Sequence, residues 1–151
     1  MPAHSEKRIL PYTPEQLFEL VAAVERYPEF LPWCKAARIL RRGGQGLTAD
    51  LVISYKVFSE KFRSEVTLDR PQRIEVRYLS GPLSHLRNRW EFRPKGKGSC
   101  ELSFDVEFDF RTSLLSTAME MFFDKALMKM VAAFEARAAQ LYGSQNSQAP
   151  E

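Results

Sequence analysis

The stretch Cys100-Glu101-Leu102-Ser103-Phe104-Asp105-Val106-Glu107-Phe108-Asp109-Phe110 alternates apolar and polar side chains at every step. Successive side chains of a strand point to opposite faces, so this segment has one apolar face to bury and one acidic face for water. Directly after it, near Thr112 or Ser113, the period changes. Leu115, Met119, Phe123, Leu127, Met130, Phe134 and Leu141 recur at helical spacing until Gly143. About 30 helical residues make a rod of roughly 45 Å, long enough to cross a whole sheet. The strand face and the helix stripe each need a cover, and each predicts the other.

The two-residue period also runs upstream, from Arg111 back to about Ala36. Leu86, Trp90 and Phe92 oppose Arg87, Arg89, Glu91 and Arg93, ahead of the turn Pro94-Lys95-Gly96-Lys97-Gly98. Ile74, Val76 and Tyr78 form a shorter strand between Asp69-Arg70-Pro71 and Ser80-Gly81-Pro82. Phe58, Phe62, Val66 and Leu68 make another strand, and Leu47, Ala49, Leu51, Ile53 and Tyr55 one more behind the Gly43-Gly44-Gln45-Gly46 turn. Consecutive strands with tight turns and one wet face are an antiparallel meander. Before it, a short strand is expected around Ile9 and Leu10. Thr13-Pro14-Glu15-Gln16 then reads as a capping box with proline at the first helical position. Leu17, Phe18, Val21 and Val24 give that helix its buried stripe, and Pro28 ends it.

The expected fold is α+β: a curved antiparallel sheet wrapped around a long C-terminal helix, with a short helix after the first strand. A rod and a twisted sheet diverge, which leaves an apolar groove suited to a small hydrophobic molecule. Apart from Met1 every methionine lies on the long helix, at Met119, Met121, Met128 and Met130. Thioethers adapt to varied shapes, so these residues read either as gap-filling core or as ligand lining. Phe30-Leu31-Pro32-Trp33 reads either as a cap on the sheet end or as a lid or membrane-contacting loop, and Leu83 either as a turn residue or as a guard of the groove mouth.

With 151 residues, 44% hydrophobic and 27% charged, the chain has the composition of one globular domain. Two cysteines 66 positions apart, Cys34 and Cys100, indicate neither a zinc site nor a disulfide framework. Met1 to Leu10 lacks a signal-peptide core, and no run of apolar residues is long enough to span a bilayer. The net charge of +3 is too small to argue for nucleic acid, and DNA is not expected as a partner. His4 and His85 lie in separate elements, so no histidine metal set is expected. There is no nucleophile elbow, phosphate loop or dinucleotide fingerprint. Asp105, Glu107 and Asp109 are expected to pair across strands with Arg87, Arg89 and Arg93 rather than to act as catalytic carboxylates. Arg38, Arg41, Arg42, Lys95 and Lys97 cluster at hairpins, as solvated turn charge or as a patch for anionic lipid or ribosomal RNA.

Tyr27-Pro28, Phe30-Leu31-Pro32-Trp33-Cys34, then Gly81-Pro82-Leu83 with Leu86, Trp90 and Phe92, then Phe104, Val106, Phe108 and Phe110, and the closing Leu114 to Phe123 stretch together resemble the coenzyme Q-binding START-like family. That family belongs to the polyketide cyclase/START superfamily and includes bacterial ribosome-association toxins. The resemblance covers about Met1 to Gly143, with 144–151 as a disordered polar tail. It implies a helix-grip fold and non-catalytic binding of ubiquinone or a similar isoprenoid quinone, in support of respiration or quinone biosynthesis, with no cofactor. The alternative it implies is association with the large ribosomal subunit that blocks subunit joining. On this reading the ligand meets Phe30, Leu31, Trp33, Leu83, Leu86, Trp90, Phe104, Phe108, Met119, Phe123, Leu127 and Met130. The mitochondrial extension of eukaryotic members is missing, which points to a bacterial protein or to a mature form; a cytoplasmic location is expected, peripheral on the inner membrane where it meets anionic lipid.

Overall fold

The computed structural model describes residues 3–55, 58–111 and 113–143. Strand β1 (Ala3–Leu10) leads through α1 (Pro14–Ala22) and a 3-10 turn (Val24–Glu29) into β2 (Cys34–Gly43), β3 (Gly46–Tyr55), β4 (Phe58–Asp69), β5 (Arg73–Ser80), β6 (Leu83–Pro94) and β7 (Cys100–Phe110), and α2 (Ser113–Tyr142) closes the chain. The strands form one antiparallel sheet in the order β1-β7-β6-β5-β4-β3-β2. The expected α+β architecture, a meander gripping a C-terminal helix, is the one observed. The expected polar tail 144–151 lies outside the described residues.

The capping box forms as the sequence implies. Thr13 Oγ1 accepts the Gln16 N–H at 3.1 Å, and Gln16 Oε1 accepts the Thr13 N–H at 2.9 Å. The helix ends at Ala22 rather than at Pro28, which sits inside the 3-10 turn that follows. Strand β1 is longer than expected, because its inward side chains after Ala3 are His4, Glu6 and Arg8, and only Leu10 is apolar. His85 lies on β6 beside a bulge at Leu83/His85.

On α2 the stripe holds at Leu127 and Phe134 and then departs from expectation. Ala138 is fully buried while Leu141 is 49% exposed. Counting one helical turn on from Ala138 reaches Tyr142, whose hydroxyl donates to the Gln16 carbonyl at 2.8 Å and whose ring faces Tyr12. This contact joins the end of α2 to the start of α1. Arg137 makes the second tie: it donates to Glu29 and lies 5.1 Å over the Phe30 ring, so α2 is held to the 3-10 turn.

The acidic outer face of β7 pairs with its neighbour in part as expected. Glu107 approaches Arg87 at 3.8 Å and His85 at 3.6 Å, and Arg93 approaches Glu101 at 3.9 Å. Arg89 turns to Glu75 of β5 instead, at 3.4 Å.

Candidate functional site

The inward faces of β3 to β7 do not reach α2 everywhere, and the space left between them is a cavity of about 280 Å³. Such a volume stands at the lower end of the ~300–1,000 Å³ typical of ligand sites. Strand alternation builds most of its wall. Ala49, Leu51 and Ile53 come from β3, Phe62, Ser64 and Val66 from β4, Ile74 and Val76 from β5, Leu86, Asn88 and Trp90 from β6, and Phe104 and Val106 from β7. Val24, Tyr27, Leu31, Trp33 and Cys34 close one side, and Leu127, Met130 and Phe134 of α2 form the roof.

Of the residues singled out from sequence, Leu31, Trp33, Leu86, Trp90, Phe104, Leu127 and Met130 meet at this one cavity. Phe30 lies behind its wall, packed edge-on against Phe134 at 5.2 Å. Leu83 is buried off the wall, its N–H donated to the Tyr78 hydroxyl at 2.9 Å. Phe108 is partly buried and also off the wall. The side chains of Met119 and Phe123 lie outside the described residues.

Sequence reasoning passed over the polar members of the wall. Ser64 and Asn88 occupy strand positions whose neighbours on the same face, Phe62 and Val66 or Leu86 and Trp90, are apolar. A polar residue at an apolar parity was the available signal. Asn88 Oδ1 accepts the Trp90 Nε1–H at 2.9 Å, and Asn88 Nδ2 donates to the Asp105 carbonyl at 2.9 Å. The Tyr27 hydroxyl donates to the Val21 carbonyl, and burial raises its pKa above the ordinary tyrosine value. Burial likewise pushes the Cys34 thiol up to about 11, so it is protonated at neutral pH and no nucleophile.

A second void of about 30 Å³ adjoins the first, sharing Trp90, Phe104 and Phe134. Its rim carries charge: Arg8 bonds Glu6 and reaches Glu135 of α2 at 3.0 Å, while His4 bonds Glu6 at 2.9 Å. The His4 hydrogen bond, with Arg8 beside it, holds the Glu6 carboxyl below its ordinary pKa. Among the described residues no group of three or more His, Cys, Asp or Glu is placed to hold a metal, and no helix is long and apolar enough to cross a membrane.

The family model described as polyketide cyclase / dehydrase and lipid transport matches residues 10–135. The chain belongs to that family. It is 39% identical over 138 residues to the ribosome association toxin RatA of Rickettsia prowazekii, covering 89% of this chain and 94% of the relative. It is 32% identical over 146 residues to the mitochondrial coenzyme Q-binding protein COQ10 homolog B of Xenopus laevis, covering 94% of this chain and 60% of that protein. The crystal structure of the Zhui aromatase/cyclase from Streptomyces superposes with a TM-score of 0.81 at 16% identity, covering 92% of this chain and 94% of the other. That likeness establishes the helix-grip architecture. The family therefore embraces proteins named for binding and proteins named for catalysis, and the resemblance to its coenzyme Q-binding START-like members holds.

Proposed function

We propose that this chain is a non-catalytic binder of an isoprenoid quinone, with the ring and the first part of the tail in the cavity between sheet and α2. The observation that carries the reading is the cavity itself: about 280 Å³ of space whose described wall is apolar except at a few points. The relative named as coenzyme Q-binding, aligned over 94% of this chain, supports the choice of ligand. A cavity this small holds a head group and leaves a long polyprenyl tail to run out along the sheet–helix seam. Leu31 and Trp33 on one side and Leu86 on the other are placed to meet it.

Non-catalysis is supported by the lining. The described wall has no carboxylate or imidazole side chain, its one thiol is held protonated and the Tyr27 hydroxyl is spent on the Val21 carbonyl, which argues against an acid–base pair for cyclisation there. Native mass spectrometry of the protein purified from a quinone-containing host should show a quinone mass adduct. An empty protein that also refuses added ubiquinone refutes the reading.

Association with a large ribosomal subunit is a second reading, favoured by the relative named as a ribosome association toxin. The outer face at the β2 edge suits a polyanion. Arg38, Asp50 and Arg63 stand in one row across β2, β3 and β4, Lys61 lies 3.8 Å from Asp50, and Arg41 is exposed nearby. Three cations around one carboxylate, with Arg41 in the next row opposite Thr48, leave a positive rim. Co-sedimentation with isolated large subunits that falls steeply as salt rises would bear this out, and none at low salt would refute it.

A further inference from the structure

We infer that Ser64 and Asn88 are the specificity-determining residues of the cavity, holding a planar head group by two acceptor oxygens on opposite sides of its ring, as a para-quinone presents them. This inference rests on the quinone-binding reading and names the part of the ligand that the site reads.

The argument begins with the hydrogen-bond capacity of Asn88. Its amide orientation is settled by its partners: Trp90 Nε1 only donates and the Asp105 carbonyl only accepts, so oxygen must face the indole and nitrogen the backbone. An asparagine amide has two N–H groups and two lone pairs, so those bonds use half its capacity. One N–H remains, on a side chain that lines a largely apolar cavity. The Ser64 hydroxyl, in the same wall, has no hydrogen-bond partner among the described residues. Two donors are therefore unspent in one cavity, where a polar group without a partner is costly.

The strand register sets how far apart they stand. Asn88 is opposite Val76, Val76 is opposite Val66, and Ser64 lies one inward position further along β4. Two strand spacings and one two-residue step separate the two Cα atoms by roughly 12 Å. Side chains on one face of a sheet stand roughly perpendicular to it, so the two donor atoms keep much of that separation, whereas a single oxygen sharing two hydrogen bonds spans only about 6 Å between its donors. The spacing instead suits two acceptors carried by one rigid ring, with the apolar side chain of Val76 beneath the ring between them. Trp90, fixed by its bond to Asn88, supplies a flat apolar wall beside the head group.

The test compares a short-tailed ubiquinone with an analogue of the same tail and ring in which both carbonyl oxygens are replaced by hydrogen. Calorimetric titration of the wild-type chain should favour the quinone by about 25- to 100-fold, on the order of five- to tenfold for each hydrogen bond. Ser64→Ala should remove about five- to tenfold of that preference while leaving affinity for the carbonyl-free analogue unchanged. Asn88→Leu should do the same, and because it also unpairs the Trp90 N–H, Ser64→Ala is the deciding variant. Equal wild-type affinity for the two ligands, or a preference that survives Ser64→Ala, overturns the inference and leaves quinone binding standing. A wild-type chain that takes up neither ligand overturns both.

Discussion

Phe134 joins the helix, the 3-10 turn and the sheet, and its truncation is the sharpest test of how the cavity is held open. Its ring is edge-on to Tyr27 at 5.5 Å, to Phe30 at 5.2 Å and to Trp90 at 5.2 Å, and it forms part of the wall of both voids. Phe→Ala in a core costs about 3–5 kcal/mol. Each of the three ring contacts adds about 0.5–1.5 kcal/mol beyond area burial, so Phe134→Ala should fall at the upper end, roughly 4–5 kcal/mol. In a domain of this length, at about 2–4 °C per kcal/mol, Tm should drop by about 8–20 °C. Phe30→Ala removes two of the same family of contacts from a partly exposed site and should cost about half as much. Urea denaturation followed by circular dichroism would give both values, and the double variant would give their coupling, expected at about 0.5–1.5 kcal/mol. A loss below about 1.5 kcal/mol for Phe134→Ala, or additive single effects, would refute the idea that this ring cluster clamps α2 over the cavity.

Cys34 lines the cavity and Cys100 lies off it, and burial pushes both thiols up to about 11. Both should resist alkylation at pH 8 in the folded chain, and bound ligand should slow the residual reaction of Cys34 alone, read by peptide mass spectrometry. The Asp50 carboxyl is held below its ordinary pKa by hydrogen bonds from Arg63 at 2.8 and 3.0 Å, so its contribution is complete above about pH 4 and is lost as pH falls through the lowered value. Asp50→Asn should therefore lower the urea midpoint at pH 7, and the gap to wild type should shrink as pH falls below about 4 and close only below the lowered value; parallel curves would contradict this. Gly81 has φ +148°, and a Cβ there would lie 2.8 Å from the Tyr78 hydroxyl and 2.9 Å from the Lys61 carbonyl. Gly81→Ala should cost about 1–3 kcal/mol and disturb the Tyr78 to Leu83 hydrogen bond, which thermal unfolding would register.

The strand-to-helix switch after Phe110 was legible because both periods are strong and adjacent, and the capping box at Thr13 and Gln16 because four residue types coincide. What stayed hidden has physical causes. Strand β1 turns His4, Glu6 and Arg8 inward, where Glu135 of α2 completes their pairing, and a polar inward face carries no hydrophobic alternation. The change from Leu141 to Tyr142 at the end of α2 depends on where Tyr12 and Gln16 stand, a tertiary fact. Periodicity names the residues that face inward but not how completely they fill the interior. Phe30 and Leu83 were thus expected at the ligand although they pack behind the wall, while Phe62 and Val76, equally inward, stand on it. The polar wall residues were readable in principle, since Asn88 breaks an apolar parity run between Leu86 and Trp90.

That break also bears on how selective binding can arise. Burying apolar surface is worth about 25 cal/mol per Å² against water. A quinone taken from a bilayer already has its tail in an apolar medium, so most of that gain is returned on extraction. An apolar cavity alone would then accept many lipids with similar weak affinity. Selection must come from groups that a bilayer interior does not offer, and the unspent donors of Ser64 and Asn88 are such groups. On the proposed quinone reading a cavity of about 280 Å³ suffices: it needs to enclose the ring that carries information, while the tail contributes little whether it lies against protein or lipid.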